Sequence, residues 1–237
     1  MDCKGSLRWT PGRLGRFAGF AAGVLSLAAT LGAAVPLHVP PAPVTQLGGA
    51  LLRVSPVSPT DAWAVGNSNT NLIRLLHWTG TAWTQVSRPR VSGALADVTA
   101  LSSTDAWAVG QRITNTGKTL ALHWNGTTWA QVASPNPGVP SSAVFLADVS
   151  ATSSSDVWAV GEYSSNGSVV KPLVLHWNGT SWTQVASPHP PGTFGSELLG
   201  VDALSPGDAW AVGEITGHVG NSTTLILHWN GTAWTQS

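Results

Sequence analysis

The chain has 237 residues, only 9% of them charged, with 11 Lys+Arg balanced by 11 Asp+Glu and a single cysteine. That balance excludes the basic stripe of a nucleic-acid binder, and one cysteine excludes a disulfide scaffold. The 13 tryptophans are the conspicuous excess, and they point to a large aromatic core.

The N-terminus reads as a targeting segment. Lys4, Arg8, Arg13 and Arg16 precede an uncharged Ala/Gly/Leu/Val run over 17–35, closed by the small residues Gly32, Ala33 and Ala34. This is the pattern of a signal peptide over 1–34, with a signal anchor as the alternative. Either way the remainder is exported, so the expected location is extracellular. Cleavage would remove Cys3 and leave 7 Lys+Arg against 10 Asp+Glu, a formal charge of −3. A Pro-rich stretch over 35–47 then reads as an extended linker.

From residue 48 onward one unit recurs. DAWAVG or DVWAVG begins at Asp61, Asp105, Asp156 and Asp208, at steps of 44, 51 and 52 residues. A period in that range signals a solenoid, propeller or array. The copies fall at about 48–87, 93–134, 143–187 and 196–237. In the third, turn signals delimit strands over 146–152, 157–163, 172–177 and 181–186. The last two flank Asn178-Gly179, a type I′ hairpin signal repeated at Asn125-Gly126 and Asn230-Gly231. Alternation sends Leu173, Leu175 and Trp177 one way and Val174 and His176 the other. Both faces are largely apolar, so each sheet must be covered on both sides. The fold class is therefore all-β, a β-propeller of four four-stranded antiparallel blades. Four blades make either a small closed ring or an open arc of a larger propeller. Copy four stops inside its last strand and copy one opens with a degenerate first strand. Both favour the arc, whose bare ends would promote a homodimer.

Trp158-Ala159-Val160-Gly161 followed by His176-Trp177-Asn178-Gly179-Thr180-Ser181-Trp182 resembles the repeats of secreted bacterial β-propellers of kelch or tectonin (tachylectin) type. The resemblance spans Leu51 to Gln236 and implies the propeller architecture. Function varies widely on such folds.

Length variation points to a binding side. Asp-to-His spacings within the copies are 16, 18, 20 and 20, and last-Trp-to-next-Asp spacings are 22, 27 and 26. The other two turns keep constant length. In an up-down blade the two variable connections emerge on one face, and insertions confined to one face mark the binding side. Its loops carry the candidate ligand-binding residues Arg112, Lys118, Glu162, Tyr163, Phe194 and His218, besides Arg88, Arg90 and His189. His77, His123, His176 and His228 would lie far apart around a ring, so they are expected as structural imidazoles beside Trp. Asp61, Asp105, Asp156 and Asp208 are expected to cap the turn before the second strand. Asp97 and Asp148 fall on the innermost strand, where a cation or polar ligand is the functional alternative. No metal and no cofactor is implied. The Asn-Gly-Thr triplets match a glycosylation pattern, but the turn itself demands Asn-Gly.

Enzyme signatures are missing from the sequence. Five arginines scattered over the repeats do not make the cluster of a sialidase-like propeller, and copper-radical chemistry needs a cysteine beside the one tyrosine. No Gly-x-Ser-x-Gly, metal-spaced His pair or P-loop occurs. The expectation is an exported, non-enzymatic binding module for carbohydrate or a cell-envelope partner. A structural protein–protein interaction module or a propeller fragment is the runner-up, and a propeller hydrolase the remote alternative.

Overall fold

The computed structural model describes residues 48–167, 169–217 and 221–237. The expected signal peptide and linker lie outside the described residues. Each repeat is one antiparallel four-stranded blade. The blades are β1–β4 (Ala50–Ser58, Asp61–Asn67, Ile73–Trp78, Trp83–Gln85), β5–β8 (Gly93–Ser102, Asp105–Arg112, Lys118–Trp124, Trp129–Val132), β9–β12 (Val144–Ser153, Asp156–Ser164, Val170–Trp177, Trp182–Val185) and β13–β16 (Gly195–Ser205, Asp208–Thr216, Ser222–Trp229, Trp234–Gln236). Strand order within each blade follows the chain, and a single parallel bridge, Val170 to Gly195, links blade three to blade four. No helix occurs among the described residues.

The invariant glycine of W-A-V-G has a steric cause. Each first strand carries a bulge opposite it, as between Val160/Asp148 and Gly161/Leu146. A Cβ on Gly161 would sit 2.0 Å from the Phe145 carbonyl oxygen, and Gly66, Gly110 and Gly213 meet equivalent carbonyls. The hairpin between third and fourth strands differs from the expected two-residue type I′ turn. Trp177 pairs with Trp182, leaving four loop residues, and of these only Gly179 takes a positive φ, 91°. Asn178 instead holds the turn through its side chain: Oδ1 accepts the N–H groups of Thr180 and Ser181, both at 3.0 Å.

Inner strands pack in series, β1 on β5, β5 on β9 and β9 on β13, with no comparable packing of β13 on β1. Three apolar clusters fill the three junctions. The alternation in β11 holds: Leu173, Leu175 and Trp177 face blade two, while Val174 joins Trp158 in the cluster toward blade four. The second-strand tryptophan is the centre of each junction. Trp158 lies on His176 at a ring-centroid distance of 4.3 Å, and the hairpin tryptophans of blade four enclose it, Trp229 at 5.0 Å and Trp234 edge-on at 5.3 Å. Trp63 and Trp107 repeat the arrangement with the hairpins of blades two and three.

The aspartates before the second strand do something other than cap the turn. Asp61, Asp105, Asp156 and Asp208 each bond the Nε2 of the histidine on their own third strand, at 2.7, 2.8, 2.7 and 2.9 Å. The turns are capped by hydroxyls instead, Ser58, Ser102 and Ser153 accepting the N–H two residues on. Each carboxylate thereby fixes the imidazole on which the tryptophan lies.

Burial ranks the tryptophans. Trp158 is fully buried, while Trp177 is half-buried and donates to the Ser154 carbonyl. Trp158→Ala is expected to cost about 3–5 kcal/mol in urea unfolding, and Trp177→Ala distinctly less. Asp156→Ala, which leaves His176 Nε2 without its acceptor, is expected to cost about 1–3 kcal/mol by the same measurement.

Candidate functional site

Hydrogen bonds define two faces of the repeat array. On one, the constant turns clip together identically in every blade: Trp78, Trp124, Trp177 and Trp229 donate their indole N–H to carbonyls of the β1–β2-type turns. On the other, the variable loops meet one another. Ile113 N–H donates to Ser92, Ser164 N–H to Ala143 and Phe194 N–H to Thr216, each joining a loop within a blade to a connection between blades. The two variable connections therefore share a face, as their length variation implies.

The structure separates the sequence-predicted residues into groups. Arg112 and Lys118 form a cross-strand pair at the top of blade two. Lys118 Nζ donates to the carbonyls of Pro140 and Ser142 at 3.2 and 3.3 Å, so it ties the next inter-blade loop in place, whereas Arg112 is exposed. Glu162 and Phe194 line one cleft of about 330 Å³ with Val170, Ser196, Glu197 and Thr216. Tyr163 lines another, of about 270 Å³, with Lys171, Gln184 and His189. His189 Nδ1 lies 2.8 Å from the buried Ser196 hydroxyl, so one hydrogen bond connects residues of both clefts. Burial, then the nearby Lys171 charge, lowers the His189 pKa and favours the neutral ring. His218 lies outside the described residues.

Reading the repeat position by position shows what is unusual at the first cleft. The residue after W-A-V-G is Asn67, Gln111, Glu162 and Glu214 in the four blades. In blades one and two its amide staples the next blade. Asn67 Oδ1 accepts the Leu95 N–H at 2.8 Å, and Gln111 Nε2 donates to the Val144 carbonyl at 3.1 Å. In blade three the carboxyl of Glu162 stands beside Glu197 of blade four, itself the cross-strand partner of Glu214. Burial and then hydrogen bonding and repulsion from Glu162 and Glu214 push the Glu197 pKa up to about 7. Loop-length reasoning does not single out Glu197. Its signal is acidic substitution at paired positions where blade two has Ala94 and Gln111 and blade three Phe145 and Glu162.

The innermost strands hold the other two carboxylates singled out by sequence. Asp97 Oδ2 accepts the Val149 N–H at 3.0 Å and Asp148 Oδ2 the Val201 N–H at 2.7 Å. Both are staples from one inner strand to the next. Ser55 and Ser150 do the same for Ala100 and Ala203. Among the described residues no group of three or more His, Cys, Asp or Glu side chains is placed to hold a metal ion.

Burial, with the hydrogen bond and charge of Asp148, pushes Asp97 up to about 7, despite Arg53 Nε at 3.8 Å on its exposed side. The raised value fixes the sign of the pH dependence. A carboxyl that holds its proton more tightly when folded stabilises the protein at low pH, and that contribution fades as pH rises from about 4 to 7. Asp97→Asn mimics the protonated form at all pH. Its urea midpoint is expected to match the wild type near pH 4 and exceed it above pH 7.

No family model matches the chain, and no curated protein matches it. Solved structures do. The SapL1 lectin in complex with alpha methyl fucoside aligns at 13% identity and a TM-score of 0.52, covering 81% of this chain and 62% of that one. The likeness is to β-propellers. The fucose-specific lectin of Aleuria aurantia aligns at 14% and 0.50, over 80% and 62% of the two chains. Penicillium chrysogenum alpha-L-arabinanase complexed with arabinobiose aligns at 14% and 0.50, over 78% and 66%. At these identities the likeness establishes the fold, and the chain spans less than two thirds of each of the three.

Proposed function

We propose that the protein is an exported, non-enzymatic binding module that takes carbohydrate on its loop face, at the junction of blades three and four. The carrying observation is the cleft of Glu162, Phe194, Ser196, Glu197 and Thr216, where the repeat gives up its stapling amide for acidic groups. A half-exposed aromatic ring beside carboxyl and hydroxyl oxygens suits a sugar, whose C–H face packs on the ring while its hydroxyls donate to the oxygens. Tyr163, Lys171, Gln184 and His189 extend the polar surface beside it. Two of the similar propellers described above are fucose lectins, which favours the same ligand class. The basic, then apolar, N-terminal segment supports export, and the W-A-V-G and N-G-T-x-W elements support a kelch- or tectonin-type repeat.

A hydrolase is the second reading, favoured by the raised Glu197 and by the arabinanase likeness. Geometry weighs against it. A glycosidase pair flanks the scissile bond with its carboxyls about 5–9.5 Å apart. Glu162 and Glu214 both act on the Glu197 carboxyl, so the three crowd one another rather than stand on opposite sides of a glycosidic bond. A cell-envelope protein is the alternative partner of the same face.

A glycan array probed with the full chain tests the proposal. Binding is expected, weakened about tenfold or more (about 1.4 kcal/mol) by Phe194→Ala and by Glu162→Ala, with no turnover of chromogenic glycosides. An array without a single hit would leave the protein-partner reading in its place. Turnover abolished by Glu197→Gln would establish the hydrolase.

A further inference from the structure

The two ends of the blade array carry the two halves of its internal junction, each without a partner among the described residues. At the blade-four end, Trp210 lies on His228 at 4.2 Å and 25°, as Trp63 and Trp107 lie on theirs. Yet Trp210 is 40% exposed where Trp63, Trp107 and Trp158 are sealed, because among the described residues no hairpin tryptophan pair packs on it. Val212 is 49% exposed where the equivalent Val65, Val109 and Val160 are buried, and Ile226 is exposed beside it. At the blade-one end the deficit is complementary. Leu51 and Val54 are 52% and 61% exposed, while their equivalents Leu146 and Val149 are buried against blade two. Leu51, Leu52, Val54, Ala64, Leu76 and Trp83 line a hollow of about 600 Å³ there. The hairpin pair Trp78 and Trp83 stands ready at 5.8 Å with no second-strand tryptophan to enclose.

We propose that the free face of blade four in one copy seats on the free face of blade one in a second copy, head to tail. The contact continues an interface that the chain already makes three times, with Trp210 received between Trp78 and Trp83. Two copies form two such junctions, and eight blades fall within the range in which propellers close. The polar staples of the internal junctions are not reproduced. Gly200 has no side chain where Asp97 and Asp148 supply acceptors, and Pro56 has no N–H where Ala100 and Ala203 donate. The junction between copies therefore rests on apolar contact and dissociates more readily than the blades do.

Sedimentation of the full chain tests this. A dimer is expected at high concentration, falling to monomer on dilution; a monomer at every concentration overturns the proposal. Val54→Glu spoils only the blade-one face and Val212→Glu only the blade-four face, so each variant alone is expected to lose the dimer. An equal mixture is expected to regain a dimer at high concentration, weaker than the wild type, because blade four of the first variant and blade one of the second form one intact junction while the other junction carries both glutamates. Circular dichroism checks that both are folded, with Leu52→Glu and Ile226→Glu as replacements for either that is not. Dimerisation of either variant alone, or a mixture that stays monomeric, overturns the head-to-tail junction.

Discussion

The structure depends on one contact: a tryptophan held between a histidine of its own blade and two tryptophans of the next. Trp158 has His176 on one side and Trp229 and Trp234 around the other. Its indole nitrogen finds no hydrogen-bond partner, nor do those of Trp63 and Trp107. The contact is therefore one of area and ring geometry, the regime in which offset and edge-on aromatic pairs add to simple burial. Everything polar nearby serves to orient it. Asp156 fixes the imidazole, and the imidazole presents a flat surface to the indole. A β-sheet apolar on both faces has to be covered twice, and this clamp is how each blade covers its neighbour.

Most of this was legible because repetition averages out local ambiguity. Four W-A-V-G strands and four paired tryptophans at a spacing of five residues place the strands to within one or two residues. The unequal connections place both variable loops on one face. Two readings went astray where a side chain had a choice of partners. Asp156 can bond the backbone of its own turn or the histidine twenty residues on, and only the folded sheet brings that histidine within 2.7 Å. Asn178 can adopt a positive φ or bond the N–H groups ahead of it, and with Gly179 next to it only one residue needs the strained conformation. Loop length does not single out Glu197, whose signal in the sequence is an acidic residue paired across the strands with Glu214.

Function and scaffold are separated by the columns of the repeat. Residues that serve the scaffold repeat in kind: aspartate with histidine, glycine at the bulge, tryptophan in the clamp. Residues at the junction of blades three and four break their columns, replacing a stapling amide with a carboxyl whose own neighbours are acidic. Crowding like charges costs stability that an amide would have supplied, and such concessions concentrate where a protein meets something else. Asp97 and Asp148 also crowd each other, but their hydrogen bonds to the Val149 and Val201 N–H groups tie successive inner strands together.

The clamp also has a direction, since Trp63, Trp107 and Trp158 are each completed by the following blade and not by the preceding one. Nothing in that rule refers to how many units there are. A duplication inside the gene would insert one more unit that already fits both neighbours, and a deletion would remove one without leaving mismatched surfaces. Copy number can therefore drift by recombination between near-identical segments while each unit stays the same. Evolution is left free to vary the number of blades and the loops they carry independently.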